Sequence, residues 1–561
     1  MNLSILSTPR NAFRALVAFS AIVSLLLFVQ SDWRNGSMEN EVPDDSFIVQ
    51  AASLEKAVNA VRRVGGEITH ELGIINAVGT SLTQAQHGAL DADEQIRIYR
   101  DQQARVVGKP TKDERIDEKL RFGLVVDADA LHQEGIQGYG VTVAILDTGL
   151  WWNTSTISKN SLSDDRILAH YDAIADEVLN PSSNPGADEG SYDENGHGSH
   201  LTSIVLHSRP TLGEYVGIAP GADLVSIKAF DANGDGSYMN IIRALDFIVT
   251  NRQTYNIGVV NLSFSAPPQS YYWDDPLNQA VMAAWQAGIV VVSSAGNTGP
   301  EPLTIGVPGN VPYVITVGAM NDNYSPDDSS DDMLSYWSSA GPTIEAFVKP
   351  DIVAPGSHLN GYMPSDATLP LSYPELYDTQ NYFTMSGTSQ AAAVVTGIVA
   401  LLLQDEPWLS PDDVKCRLIS NTLAGIYSNG PDSGELRYSP FQQGAGRVDA
   451  YGVVHGDETG CANGGLDIDK DLAGTEHYIG PARIDKTTGD FYIKGVGYYW
   501  DGSMNQHGDT WVDGSPFIDG SPFIDGSPFI DGSPFIDGNP FIDGAGLAEP
   551  ASINVWVGAQ E

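Results

Sequence analysis

The most regular feature of the chain is a series of short apolar runs separated by helical stretches. Between about Arg121 and Gly456 these runs read "VTVAILD", "LVSIKAF", "GVVNLSF", "GIVVVSS" and "YVITVGA". Strands that are continuously apolar are buried on both faces, and the intervening helices supply the two covering layers. The pattern therefore predicts a doubly wound α/β domain around a parallel sheet over residues 121–456. A different texture precedes it. Phe47–Leu90 alternates a strand ("SFIVQ"), a helix ("LEKAVNAVRRVG"), a strand ("EITHEL") and a second helix ("LTQAQHGAL"), giving a small α+β domain assigned to residues 46–95. Residues 96–120 are charged and weakly periodic and read as a linker.

Beyond the large domain the texture changes again. Residues 457–500 read as a β-rich extension, and residues 501–544 carry a six-residue repeat. "DGSPFI" begins at Asp513, Asp519, Asp525 and Asp531, with "DGNPFI" at Asp537, and glycine keeps the period from Gly502 to Gly544. Asp-Gly turns and the repeated proline oppose a regular helix or a central strand. A small β-coil, a segment laid along the large domain and an unstructured tail all remain open. The tail, residues 545–561, ends in "INVWVGAQE", which could add an edge strand or serve as a recognition tag.

Charge narrows the classes of function. There are 72 Asp and Glu against 29 Lys and Arg, a net −43. Such a surface repels nucleic acid and anionic membranes and keeps the chain soluble. The first 31 residues contain no acid, and Arg10 and Arg14 precede the apolar run Ala15–Val29. As a helix that run spans about 23 Å, short of the ~30 Å hydrocarbon core. Residues 1–31 are therefore read as a cleaved signal peptide, which places the protein outside the cell, in the periplasm or at the cell surface. No other stretch is read as long and apolar enough to span a membrane, and no stable span is expected. The two cysteines, Cys416 and Cys461, could form one disulfide in an exported protein, but are too few for a disulfide scaffold or a zinc site.

Candidate chemistry gathers at the ends of the predicted elements. "VAILDTG" ends a strand at Asp147, "VVVSSAGN" ends another near Asn297, "NGHGSHLTSIV" puts His197 at a helix start, and "TMSGTSQAAAVVTGIVALLL" puts Ser389 at the head of a long helix. A serine hydroxyl needs an adjacent base to act as a nucleophile. Histidine can take that proton near neutrality, and a buried carboxylate orients it and stabilises the imidazolium. An amide side chain with a helix-start N–H can receive an oxyanion. His200, one helical turn after His197, raises the question of a metal pair. A zinc site needs a third ligand that nothing here specifies, so no metal is assigned.

The order Asp, His, Asn, Ser, with "AILDTG", "NGHGSH", "GVVNLSF", "SSAGN" and "SGTSQAA" in sequence, resembles the subtilisin-like serine peptidases. The connecting stretches "GIAPGADLVSIKAF", "KPDIVAPG" and "QGAGRVDA" resemble them too. The resemblance implies a subtilisin-like fold and a secreted serine endopeptidase acting on proteins or peptides through an acyl-enzyme. Ser389 would be the nucleophile, His197 the general base and acid, Asp147 its orienting carboxylate and Asn297 the oxyanion donor. Leu262, Ser263 and Phe264, with Ser294, Ala295 and Gly296, would line the substrate strand and primary pocket, and Gly306 would lie near the pocket floor. His200 is expected to be structural. No cofactor is required; structural calcium is common in such proteins, but no ligands are assigned. "DANGDGS" (Asp231–Ser237) opens like a calcium loop, yet Ile242 stands where the terminal glutamate belongs, so a polar turn is expected there. "DIDKD" (Asp467–Asp471) is an equally weak calcium candidate.

Three positions depart from the common pattern: Gln390 where methionine is frequent, Ala393 where proline is usual, and Ser203 where a helix glycine is common. The small N-terminal domain, with "GGEITHELGIINAVGTSLT", resembles the inhibitory propeptide of the same family, which would make it an intramolecular inhibitor removed by self-cleavage. A monomer is expected. The competing reading is a catalytically silent surface or adhesion protein on a peptidase-like scaffold.

Overall fold

The computed structural model describes residues 46–111, 122–152, 154–179, 192–211, 214–323, 325–326, 328–378, 380–425, 436–494, 499–503 and 558–559. The expected signal peptide, the repeats beyond residue 503 and most of the tail lie outside these residues.

The small domain is an antiparallel sheet of β1 (Ser46–Gln50), β2 (Glu67–Leu72), β3 (Ala77–Ser81) and β4 (Arg97–Arg100), in the order β2-β3-β1-β4. Two helices, α1 (Leu54–Arg63) and α2 (Gln84–Asp91), start at side-chain caps: Ser53 accepts from Lys56 N, and Thr83 with Gln86 forms a reciprocal capping box. Phe47, Val49, Ala57, Ala60, Val61, Val78, Leu82 and Leu90 bury one face of the sheet as a core of its own. Its other face rests on the large domain so closely that a Cβ on Gly79 would stand 2.2 Å from Met239 Sδ.

The presumed linker requires a correction. Residues 97–100 complete the small sheet as β4, and two further strands follow, β5 (Gln103–Val106) and β6 (Lys109–Pro110). They pair with strands of the large domain rather than with each other. Weak periodicity concealed them because they are short and bury few side chains.

The large domain is built on an eleven-stranded sheet. Its main path, in spatial order, is β19 (Thr422–Leu423), β20 (Arg447–Val448), β16 (Ile352–Pro355), β15 (Ile315–Asn321), β14 (Val290–Ser294), β12 (Ile257–Leu262), β7 (Thr142–Asp147), β10 (Asp223–Lys228), β8 (Ile167–Asp172) and β9 (Glu177–Leu179). From β20 to β8 every pairing along this path is parallel, β19 and β9 are antiparallel edge strands, and the eleventh strand, Met333–Leu334, pairs antiparallel with β15 off the path. After β7 the chain first winds through β8 and β10 on one side, then crosses to β12 on the other. The crevice at the carboxyl end of β7 is therefore a topological switch point, where such sheets place ligands.

Helices α3 (His197–Leu206) and α6 (Thr388–Asp405) pack against each other beside the sheet, while α4 (Tyr238–Thr250) and α5 (Pro276–Gln286) pair to receive the small domain. By length and composition α6 could cross a membrane, contrary to the expectation that no such stretch follows the leader; most of it is buried inside the domain. A helix that is apolar all round is what the centre of a large core requires.

Cys416 on α7 (Pro411–Ser420) and Cys461 form a disulfide that ties the extension to the large domain. The extension continues as a three-stranded meander, β21 (Ala482–Ile484), β22 (Phe491–Ile493) and β23 (Tyr499–Trp500), whose fully buried Trp500 stacks on Phe441 of the large domain. At the far end Gly558–Ala559 pairs with Tyr478–Ile479.

Candidate active site

Asp147 ends β7, and its carboxylate is fully buried. Its Oδ1 accepts from the Thr148 amide at 2.8 Å and from His197 Nδ1 at 2.7 Å. An ionised carboxylate only accepts, so the imidazole hydrogen sits on Nδ1 and the lone pair is left on Nε2. That Nε2 is buried and makes no hydrogen bond among the described residues.

A second acid fixes the start of α3 against the end of β7. Asp193 Oδ1 accepts from Thr148 Oγ1 and the Gly196 amide, both at 2.7 Å, while Oδ2 accepts from the Ser199 amide and hydroxyl. Thr148 Oγ1 in turn accepts from the Gly198 amide at 2.9 Å. Gly196 caps the helix with φ 101°, a conformation that favours glycine. These hydrogen bonds between the end of β7 and the start of α3 determine where His197 stands.

The other histidine behaves differently. His200 Nε2 meets the Phe383 carbonyl at 3.0 Å, and burial, with the neighbouring His197, lowers its pKa to about 3. It is neutral near pH 7 and ties α3 to β18 (Tyr382–Ser386), the antiparallel partner of β17 (Leu359–Tyr362). Ser203 extends that tie. Its hydroxyl donates to the His200 carbonyl and accepts from the Tyr362 amide, each at 2.7 Å.

Ser389 lies in the first turn of α6, the end of a helix where amides are left without intrahelical partners. Its hydroxyl donates to the carbonyl oxygen of Val107 and also lies 3.1 Å from the Ser263 carbonyl. Asn297 approaches the same turn. Its Oδ1 accepts from the Thr388 amide at 3.0 Å and hydroxyl at 2.9 Å, which leaves the Nδ2 amino group as the end able to donate.

The segment anticipated as a linker lies across these groups. β5 runs antiparallel between β11 (Asp235–Ser237) and β13 (Phe264–Ser265). Val106 N donates to the Gly234 carbonyl at 3.0 Å and Val107 N to the Ser263 carbonyl at 3.3 Å. β6 then pairs with β18, setting Lys109 opposite Ser386. A Cβ on Gly108 would lie 3.2 Å from His197 Nε2. The Val107–Gly108 peptide therefore sits between the Ser389 hydroxyl and the imidazole, and no hydrogen bond joins those two side chains directly.

The remaining predicted residues separate into groups. Ser263 and Phe264 meet the seated segment through their backbones. Ser294 Oγ donates to the Phe264 carbonyl, the Gly296 amide donates to Thr388 Oγ1, and the Gly306 amide donates to the Ala295 carbonyl, so these residues buttress the wall. Gly306 is closely packed, since a Cβ there would fall 1.9 Å from Ser265 Oγ and 3.0 Å from the Ala266 carbonyl oxygen. Leu262 is a correction: its side chain is in the hydrophobic core, and the wall begins one residue later. "DANGDGS" is a polar turn in which Asp231 Oδ1 accepts from the Asn233 and Asp235 amides, yet its end supplies β11, a side of the cleft the sequence had not indicated. Among the described residues no three His, Cys, Asp or Glu side chains are grouped to hold a metal ion. Asp471, at the end of "DIDKD", is instead buried and accepts from Tyr272 and Tyr313 hydroxyls.

The model of the subtilase family matches residues 138–446, the stretch that holds all four of these side chains. The chain belongs to the subtilase family. It is 35% identical over 327 residues to serine protease AprX of Bacillus subtilis, covering 57% of this chain and 67% of that one. Subtilisin DY of Bacillus licheniformis is 30% identical over 53% of this chain and 88% of its own length. Among solved structures, fervidolysin from Fervidobacterium pennivorans, a keratinolytic enzyme related to subtilisin, superposes with a TM-score of 0.56 at 21% identity. The match covers 75% of this chain and 62% of that one, and shows the shared fold. As a subtilase the chain is a serine endopeptidase, and the silent adhesion scaffold is not favoured.

Proposed function

We propose that the protein is an exported, self-processed endopeptidase in which Ser389, His197 and Asp147 form the catalytic triad and Asn297 with the Ser389 amide forms the oxyanion hole. The observation that carries this reading is the pairing of the His197 imidazole with the fully buried Asp147 while a peptide carbonyl rests on the Ser389 hydroxyl. Attack of Oγ on the carbonyl carbon sends its proton to His197 Nε2, and Asp147 stabilises the imidazolium across the 2.7 Å contact. Charge that develops on the carbonyl oxygen is met by Asn297 Nδ2 and the amide at the helix start, where the positive end of the helix dipole adds to the effect. The imidazolium then protonates the departing amine, and water hydrolyses the acyl-enzyme by the reverse proton path. The proton and the electron pair move only among Ser389, His197, substrate and water, so no resident cofactor is needed.

In this reading the small domain is an intramolecular inhibitor that fills the cleft until it is cut away. The apolar leader and acidic surface suit an exported protein that acts on proteins or peptides as a monomer. Backbone pairing on both sides of the seated strand favours extended substrates of many sequences before the cut, because main-chain hydrogen bonds carry little side-chain information.

Hydrolysis of an unfolded protein substrate tests the triad, with the small domain cut away by the chain itself or, in inactive variants, in trans by native enzyme. Ser389→Ala and His197→Ala should each lower turnover by roughly 10⁶-fold, and the double variant should fall no further, because the residues act as one unit. Additive losses, or full activity in Ser389→Ala, would exclude the assignment.

A further inference from the structure

We propose that the Val107–Gly108 bond is the first bond this chain cuts, and that Met385 and Gln390 restrict the residue after the cut to glycine or another very small side chain. The inference rests on the peptidase reading and names its first substrate.

The register leaves one candidate bond. Val106 and Val107 are hydrogen-bonded to the walls at Gly234 and Ser263, the Val107 carbonyl meets the nucleophile's hydroxyl, and Lys109 pairs with Ser386 on the far side. Moving the chain by one residue would turn every side chain to the opposite face of the strand and lose these pairings. Arg105 helps to hold that register: its guanidinium meets both Asp235 oxygens, at 2.5 and 2.9 Å, though the pair is too exposed to add much affinity.

Gly108 is enclosed. A Cβ there would meet Met385 Cε at 2.8 Å, His197 Nε2 at 3.2 Å and Gln390 Nε2 at 3.4 Å. The methionine tip can swing aside for a methyl group, but a branched side chain would also press on the imidazole. Gln390 itself is fully buried, and neither its Nε2 nor its Oε1 has a hydrogen-bond partner among the described residues. A buried, unsatisfied amide costs free energy, so its position beside the seated backbone points to a polar surface reserved for the segment leaving the cut. Gly387 keeps the approach open from the other side, where a Cβ would stand 2.8 Å from the Val107 carbonyl oxygen and 3.0 Å from Gly108 Cα.

The step balances with one water. Ser389 Oγ bonds to the Val107 carbonyl carbon as its proton passes to His197. The C–N bond to Gly108 then breaks, and that nitrogen takes the proton to become the new α-amino group. Water next adds to the acyl carbon, releasing the Val107 carboxylate and returning the hydrogen to Ser389.

Time-resolved intact mass of the freshly folded full chain identifies the first fragment released. It should end at Val107 and leave a chain beginning at Gly108. A first fragment with any other end overturns the bond assignment. Gly108→Ala should slow the cut about tenfold or less, and Gly108→Val by more than 100-fold. Because variants of the chain can misfold, the selectivity is also read on synthetic Gln103–Pro110 octapeptides added to mature enzyme. The glycine peptide should exceed the Gly108→Val peptide by more than 100-fold in kcat/KM. Met385→Ala should narrow that ratio to less than tenfold, and Gln390→Ala should lower it as well. An unchanged ratio in both variants, or equal cleavage of the two peptides by the native enzyme, overturns the selectivity. Parallel measurement of protein-substrate hydrolysis separates the two readings: an active enzyme that cuts elsewhere refutes this inference alone, whereas a chain inert to all substrates refutes the peptidase reading beneath it.

Discussion

Docking of the small domain brings two groups with opposite proton preferences into contact with α4. His70 Nε2 donates to Asn240 Oδ1 at 3.0 Å, and burial, aided by Arg243, lowers its pKa from the usual 6.5 to about 4. Asp101 Oδ1 accepts from the Met239 amide at 3.1 Å, and burial nevertheless raises its pKa from 3.8 to about 6. Undocked, both groups return to water. The depressed histidine contributes docking strength that is complete above pH 6.5 and lost as pH falls towards 4. The raised aspartate acts in the other direction, with a contribution present below pH 3.8 and lost as pH rises through 6. At 1.36 kcal/mol per pKa unit each amounts to about 3 kcal/mol, or roughly 100-fold in Kd. The two nearly cancel, with Asp246, also raised by burial, adding to the aspartate's direction.

Replacing one group should therefore expose the other. The His70→Gln fragment of residues 46–107 keeps a donor for Asn240 but cannot titrate. Its affinity for the mature chain carrying Ser389→Ala should weaken about 100-fold as pH rises from 4 to 6.5. Asp101→Asn should weaken about 100-fold over the same range as pH falls, while the native fragment changes by about tenfold or less. Tryptophan fluorescence titration at four or five pH values measures all three. If His70→Gln follows the native profile, the imidazole does not sense docking and the reasoning fails.

Two further expectations concern the site and the frame. Asp147→Asn should leave the fold intact yet lower turnover by about 10⁴, because the amide favours the wrong imidazole tautomer; steady-state kinetics on a peptide substrate would show it. Replacing Cys416 and Cys461 by alanine should cost about 4 kcal/mol for a bridge between residues 45 apart, measured by urea unfolding in the Ser389→Ala background.

What the sequence revealed, and what it concealed, follows from how far each signal extends. The apolar runs at β7, β10, β12, β14 and β15 are long enough to announce buried parallel strands. Asp147, His197, Asn297 and Ser389 each stand at an element end beside glycine or small residues, so their positions were legible in isolation. Their assembly was not. The acid that positions α3, Asp193, touches Thr148 at a separation of 45 residues with no periodic trace. β5 carries one buried side chain, Ala104, and owes its strand conformation to two walls from elsewhere in the chain. A segment whose shape is imposed by its partner reads as a linker. Leu262 misled for the opposite reason: an apolar residue beside wall residues belongs to the strand's core face, which the motif alone does not distinguish from the cleft face. Gln390 was visible as a departure from pattern, but only packing shows its amide against Gly108.

The most direct test of the account is the reaction of the processed chain with a fluorophosphonate, followed by intact mass and peptide mapping. One adduct per chain on Ser389 is expected, forming slowly or not at all in Asp147→Asn and absent from Ser389→Ala. An adduct on another residue, or an active chain that never acquires one, would contradict the claim that this hydroxyl is the nucleophile.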